Sequence, residues 1–207
     1  MSNLPVAELA ALGAAACWTF TAILAAPGVH HFGAVAFNRY RVVFAGLVLI
    51  VSSSLLGLWQ SLPENSMLTL IGSSLVGIVI GDTALMQALK RIGPRRNSVL
   101  FATSAPMAAG LGFIWLGETL STNILLGCGL ILFGVVNAVW WGRKTDAGHK
   151  LEQVTGHLGL GIVLGLVAAF GQAAGAVMAK PVLLAGADPI AASAIRVGFA
   201  AVVLLLV

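Results

Sequence analysis

Seven apolar stretches follow one another along this chain, each close to the length a helix needs to cross a bilayer: Val6–Ala26, Ala34–Trp59, Met67–Leu89, Ser98–Leu116, Thr122–Gly142, Leu158–Ala179 and Ile190–Val207. A crossing takes about 20 residues at the helical rise. The links Pro27–Gly33, Gln60–Ser66, Lys90–Asn97 and Gly117–Ser121 are short, so consecutive stretches must lie antiparallel in one bundle. Lipid offers no partner to an open backbone group, which leaves helices or closed barrels. No stretch alternates apolar and polar residues as a barrel strand would. Only 9% of the residues are charged, against about a quarter in soluble domains. The expected fold class is therefore an all-α integral membrane protein, a polytopic helical bundle.

The charge that remains excludes several functions. The net charge of +4 falls in short loops, where basic residues meet lipid head groups and set topology rather than bind nucleic acid. Glu8 is the only charge before the first apolar stretch, so that stretch reads as a retained span and not a cleaved leader. Cys17 and Cys128 both lie in apolar segments at no metal or disulfide spacing. No phosphate-cradling Gly-x-x-x-x-Gly-Lys loop and no catalytic or zinc-binding constellation occurs, so neither an ATP-driven pump nor an enzyme is expected. What remains is movement of something small through the bilayer.

The chain carries a partial internal repeat. Arg41-Val42-Val43-Phe44-Ala45 matches Arg196-Val197-Gly198-Phe199-Ala200, and Ala26-Pro27 parallels Lys180-Pro181, each pair expected to close the helix before an arginine segment. The polar linker Arg143–His157 separates five stretches from two. The division expected is 1–142, a five-helix transmembrane domain; 143–157, a polar linker; and 158–207, the first two helices of a second such domain. The seventh stretch ends in apolar residues at Val207 without a polar cap, which reads as a chain that continues. An odd number of spans inserts the copy upside down, the inverted repeat of many secondary transporters. Lys90, Arg91, Arg95, Arg96, Arg143, Lys144 and Lys150 all fall on the face opposite the N-terminus, which by the positive-inside rule places the N-terminus outside the cytoplasm.

Arg41 and Asp82 are the leading candidates for chemistry. Arg41 enters the second span by about seven residues, roughly 10 Å; Asp82 lies roughly 12 Å from the same face on the antiparallel third span. The two charges share a depth and can meet, either lining a transport path or fixing helix register as a buried pair. Asn38, Gln87 and Gln172 are polar positions within spans, suited to interhelical hydrogen bonds. Trp18 is deep in the first span, either packed there or forming an aromatic wall for a substrate. Pro106 is expected to kink the middle of the fourth span, and Glu118, after Gly117, to form with Thr119 and Ser121 a tight polar turn that caps the fifth helix. Gly77 and Gly81, then Gly171 and Gly175, carry the four-residue spacing of closely packed membrane helices.

Gly81-Asp82, Ala88-Leu89-Lys90-Arg91-Ile92-Gly93, the proline of the next span, Leu116-Gly117-Glu118-Thr119-Leu120-Ser121 and Gly127 to Gly134 together resemble the EamA domain of the drug/metabolite transporter superfamily. The resemblance covers the first five spans in order, with the last two similar to the start of a second EamA unit. It implies a ten-span carrier of two inverted five-span units around a central pocket. Such carriers move small metabolites or drugs, often as exporters in a bacterial plasma membrane, without metal or organic cofactor. It also implies a cytoplasmic N-terminus, opposite to the reading of the basic residues. On this view Arg41, Asp82, Trp18, Asn38, Gln87 and Arg196 line the transport pathway, and Pro106, Gly117 and Glu118 shape or gate it. The partners expected are a small-molecule substrate, the lipid bilayer, a coupling ion such as a proton, and a second copy of the chain. The alternative is a non-transporting or inactive truncated membrane protein.

Overall fold

The computed structural model describes residues 6–140 and 157–206. Trp141, Arg143, Lys144, Lys150 and nearly all of the 143–157 linker lie outside them. Within them the chain is helical: α1 (Val6–Phe32), α2 (Ala34–Leu55), α3 (Met67–Ser74), a π-helical turn (Leu75–Asp82), α4 (Thr83–Phe101), α5 (Ser104–Leu116), α6 (Thr122–Trp140), α7 (Leu158–Leu184) and α8 (Pro189–Leu206). A short 3-10 turn, Leu58–Ser61, follows α2.

Five of these helical stretches are long and apolar enough to cross a membrane. The protein is thus an integral membrane protein of the polytopic helical class, though its spans are divided differently from the sequence expectation. Helix runs through the expected link Lys90–Asn97, which still reverses the chain. Gly93 alone breaks it, at φ 76° and ψ 167°, a backbone that side chains rarely adopt. The following Pro94 starts the next helix, where its missing N–H costs nothing. The fourth expected span is split between the end of α4 and the 13 residues of α5.

Pro106 stands near the middle of the stretch 94–116, which is interrupted at Ala102–Thr103; its missing N–H leaves the Ala102 carbonyl, four residues earlier, without that helical bond. The prolines expected to end helices do not end them. Pro27 lies inside α1, which runs on to Phe32, and Pro181 lies inside α7, which runs on to Leu184. Membrane helices tolerate such prolines because neighbouring groups re-satisfy the freed carbonyl. His30 and His31 therefore stand in the last turn of α1 rather than in a loop, and His30 buries Nε2.

Helix α7 is the axis of the packing. Gly175 and Gly171 lie against Gly77 and Gly81, so α3 and the π-helical turn run antiparallel to α7. Gly161 then meets Ile92, and Gly165 meets Leu100, so the chain reverses at Gly93 and runs parallel to α7. Further along, Lys180 of α7 reaches Glu118 just past α5. The four glycines permit this density. A Cβ on Gly175 would stand 2.8 Å from the Cα of Gly77, and one on Gly171 would stand 2.9 Å from the Cα of Gly81. The small-residue spacings in the two segments are the two sides of one contact, locked by Ser73 Oγ donating to the Gly175 carbonyl at 2.6 Å.

Helices α2 and α8 also pack antiparallel. Gly46 faces Gly198, while Val42 clusters with Ala200, Ala201 and Leu204.

Candidate functional site

Three spans place charge at one level of the bundle. Arg41 stands seven residues past the start of α2 at Ala34, and Arg196 seven residues past the start of α8 at Pro189. Because α2 and α8 are antiparallel, the two arginines come in from opposite faces. Asp82 lies between them, at the junction of the π-helical turn and α4.

Arg41 and Asp82 meet, as their shared depth predicts. Arg41 Nη2 donates to Asp82 Oδ2 at 2.5 Å and to Asn38 Oδ1 at 2.9 Å. Asn38 is fully buried and donates in turn to Thr83 Oγ1 at 3.2 Å, which ties α2 to the start of α4. One edge of the Arg41 guanidinium is thereby fixed, whereas its Nε is buried without a partner. Arginine has five N–H donors in a planar fork, and the pair leaves part of that fork unused.

A cleft opens beside Arg41, between α1 and both halves of α4. Trp18, Arg41, Leu89, Asn97 and Phe101 are among its lining residues. Trp18 stacks on Phe101 at 5.5 Å between ring centroids, and Asn97 buries Oδ1 without a partner. The cleft floor has room for about one water-sized group.

Arg196 is outside this cleft. Its Nη2 lies beside Gly77, where a Cβ would stand 3.3 Å away, and its Nε is buried without a partner. It is near enough for its charge to act on Asp82, yet among the described residues Asp82 forms an ion pair with Arg41 alone. Ser74 Oγ, on the last residue of α3, donates to the Arg196 carbonyl and holds the α8 backbone there.

The remaining candidates lie elsewhere. Gln87 accepts from Arg91 Nη1 at 2.8 Å and does not line the cleft. A side chain four residues on supplies its partner, so its polarity is satisfied within its own helix. Gly117 ends α5 in the left-handed conformation at φ 65°, the geometry of a helix C-cap. Glu118 does not cap α6. Its Oε1 pairs with Lys180 Nζ at 2.5 Å, and the α6 N-terminus is served by Ser121 Oγ, which accepts from the Ile124 amide at 3.4 Å. The serine is nearer the orphan amides, leaving the longer acid free to reach the neighbouring helix. Asn97 is the site residue that sequence reasoning missed. It lies in a stretch expected to be a loop, and only the Gly93 reversal folds it back towards Arg41.

These features define a polytopic helical membrane protein with a charged pair inside the bundle, its arginine in the wall of a cleft between the spans. Its family follows from sequence comparison: residues 5–140 match the model of the EamA-like transporter family, and the chain belongs to that family. It is 28% identical over 118 residues to the WAT1-related protein At3g28050 of Arabidopsis thaliana, covering 56% of this chain and 32% of that protein. It is 24% identical over 131 residues to the uncharacterized transporter YcbK of Bacillus subtilis, covering 59% of this chain and 40% of that one. An uncharacterized transporter of Clostridium kluyveri is 22% identical over 128 residues, covering 61% of this chain and 41% of its own length. The chain thus spans between a third and two fifths of the length of these curated relatives. No solved structure matches it.

Proposed function

We infer that the protein is a secondary transporter, or part of one, that moves a small molecule bearing a carboxylate or phosphate out of the cytoplasm. The observation that carries this reading is Arg41. Its Nη2 is anchored by Asp82 and Asn38, while its Nε is buried and unpartnered beside a cleft. A guanidinium with unused donors beside a cleft is a receptor for an oxyanion. Family membership and relatives named as transporters supply the class. A bacterial plasma membrane is the setting we propose, with a proton as coupling ion.

The domain division 1–142, 143–157 and 158–207 belongs to the same proposal. Helices α1 and α7 are each 27 residues long, and each is followed by a connection containing a glycine at positive φ, Gly33 or Gly186. The arginine then comes seven residues into the next helix in both cases. The family match, ending at residue 140, fits the first boundary. These are the marks of a second unit begun in inverted orientation.

The test is export from cells or inside-out vesicles bearing the full chain, using panels of anionic and neutral metabolites. Preferential movement of anions, reduced at least about tenfold per molecule in Arg41→Ala, is the expected result. Equal movement by the variant, with protein level alone reduced, would leave the pair as a structural element and end this reading. A second reading, a membrane protein that does not itself transport, is favoured by the small cleft, which holds about one water-sized group. Two copies that assemble to enlarge the pocket would reconcile the readings, and cross-linking in native membranes detects them.

A further inference from the structure

Asp82 is one carboxylate placed between two guanidinium groups. Arg41 holds it at 2.5 Å, while Arg196, arriving from the opposite face, has a buried Nε with no partner. A charge left unpaired among apolar helices is costly, so both arginines draw on the same acid.

The acid sits at the end of a segment wound more loosely than an α-helix. Leu75–Asp82 is π-helical over eight residues, longer than the single π turns usually found in helices. Tightening such a segment to α-helical bonding by one residue turns one end relative to the other by roughly 100°. The face it presents to α7 is Gly77 and Gly81 against Gly171 and Gly175, backbone against backbone, with Ser73 bonded to the Gly175 carbonyl. A turn of the segment therefore also re-seats Ile78 and Val79, which pack beside Val42, Ala200 and Ala201.

We propose that Asp82 is a shared counter-ion that exchanges between Arg41 and Arg196 as the π-helical turn tightens, and that the arginine it leaves binds the anionic group of the substrate from its own face of the membrane. This assigns Arg196 a second oxyanion site, for a carboxylate or a phosphate, and it rests on the carrier reading above. The exchange is a two-state element of the kind alternating access requires: one acid, two bases, never both paired. An incoming oxyanion takes the place of Asp82 on one arginine and so releases the acid to the other.

The test uses the full chain in liposomes with Cys17→Ala and Cys128→Ser, and Ser98→Cys in the cleft wall as a reporter for a membrane-impermeant maleimide. Arg196→Gln leaves Asp82 only Arg41, whereas Arg41→Gln leaves it only Arg196. The two variants are expected to label at rates differing roughly tenfold, with the parent within about twofold of Arg196→Gln. Arg→Lys variants keep the charge and return the rate towards the parent, and Arg→Met variants, uncharged but similar in bulk, replace the Gln variants if those do not fold. Equal labelling of the Arg41 and Arg196 variants would overturn the exchange.

Acetate and inorganic phosphate are the anion probes, read as a rise in thermal midpoint. A rise in the parent that is lost in Arg196→Gln supports the second oxyanion site, and the more effective probe identifies the group. No rise with either anion, or a rise untouched by Arg196→Gln, overturns that site. Labelling reports the state and not transport. A chain that exports but labels equally loses only this proposal, and a chain that shows the tenfold difference but moves nothing loses only the carrier reading.

Discussion

The helix pairs α1–α2 and α7–α8 share a 27-residue first helix with a proline near its end, a positive-φ glycine in the connection and an arginine seven residues into the second helix. Their surroundings differ. Half of the α7 apolar window is buried, against 17% for α1. Gly171 and Gly175 bring α7 to backbone contact with one span, and Gly161 and Gly165 take the side chains of Ile92 and Leu100, whereas a Cβ on Gly13 of α1 would meet nothing within 4 Å. The arginines differ in the same way: Arg41 has its acid and Arg196 shares it at a distance. Matching local sequence therefore sets matching helices, but the neighbours each helix meets decide burial and pairing.

The sharpest way to break this comparison is to remove the acid that both arginines face. Asp82→Ala is expected to cost up to about 3 kcal/mol, the low end for a buried pair because Arg41 is partly exposed. Arg196→Ala is expected to cost less than Arg41→Ala, since it breaks no direct ion pair. Thermal midpoints of the purified variants in one detergent measure all three. Equal costs for the two arginines would erase the difference drawn here.

The next largest effect concerns the glycines. Gly175→Ala forces a methyl to within 2.8 Å of backbone and is expected to destabilise by about 1–3 kcal/mol. Gly13→Ala on α1 is expected to stabilise slightly, by about 0.5–1 kcal/mol, through helix propensity alone. If both substitutions behave alike, the buried axis assigned to α7 is wrong.

Smaller again is the aromatic wall on the α1 side. Trp18→Leu gives up the stack on Phe101 and is expected to cost about 0.5–1.5 kcal/mol beyond lost area, readable as a fall in thermal midpoint. The smallest effect falls at the α7 end, where Lys180 and Glu118 are both substantially exposed. Lys180→Ala is expected to cost less than about 1 kcal/mol, and less still at high salt. A larger loss would mean that this pair closes the face rather than decorating it.

Much of the fold was legible in the sequence because lipid imposes simple rules. Apolar length specified helices, and glycine spacing marked the faces that pack. The meeting of Arg41 with Asp82 was legible too, because depth along two antiparallel spans is arithmetic in the helical rise. The partner of Glu118 and the place of Asn97 were not. Both depended on how the chain turns at Gly117 and Gly93, which backbone conformation decides rather than hydrophobicity.

The sequence by itself determined that this chain is a bundle of membrane helices, that it belongs with EamA-like proteins, and which few polar residues enter the bilayer. Only the tertiary structure decided that the Arg41–Asp82 pair forms as a direct contact and that Arg196 makes no such pair with the acid. Periodicity and depth are properties of a single helix, but a guanidinium finds its acid through helix rotation and crossing. Those are set by contacts such as Gly77 on Gly175, between residues far apart in the chain.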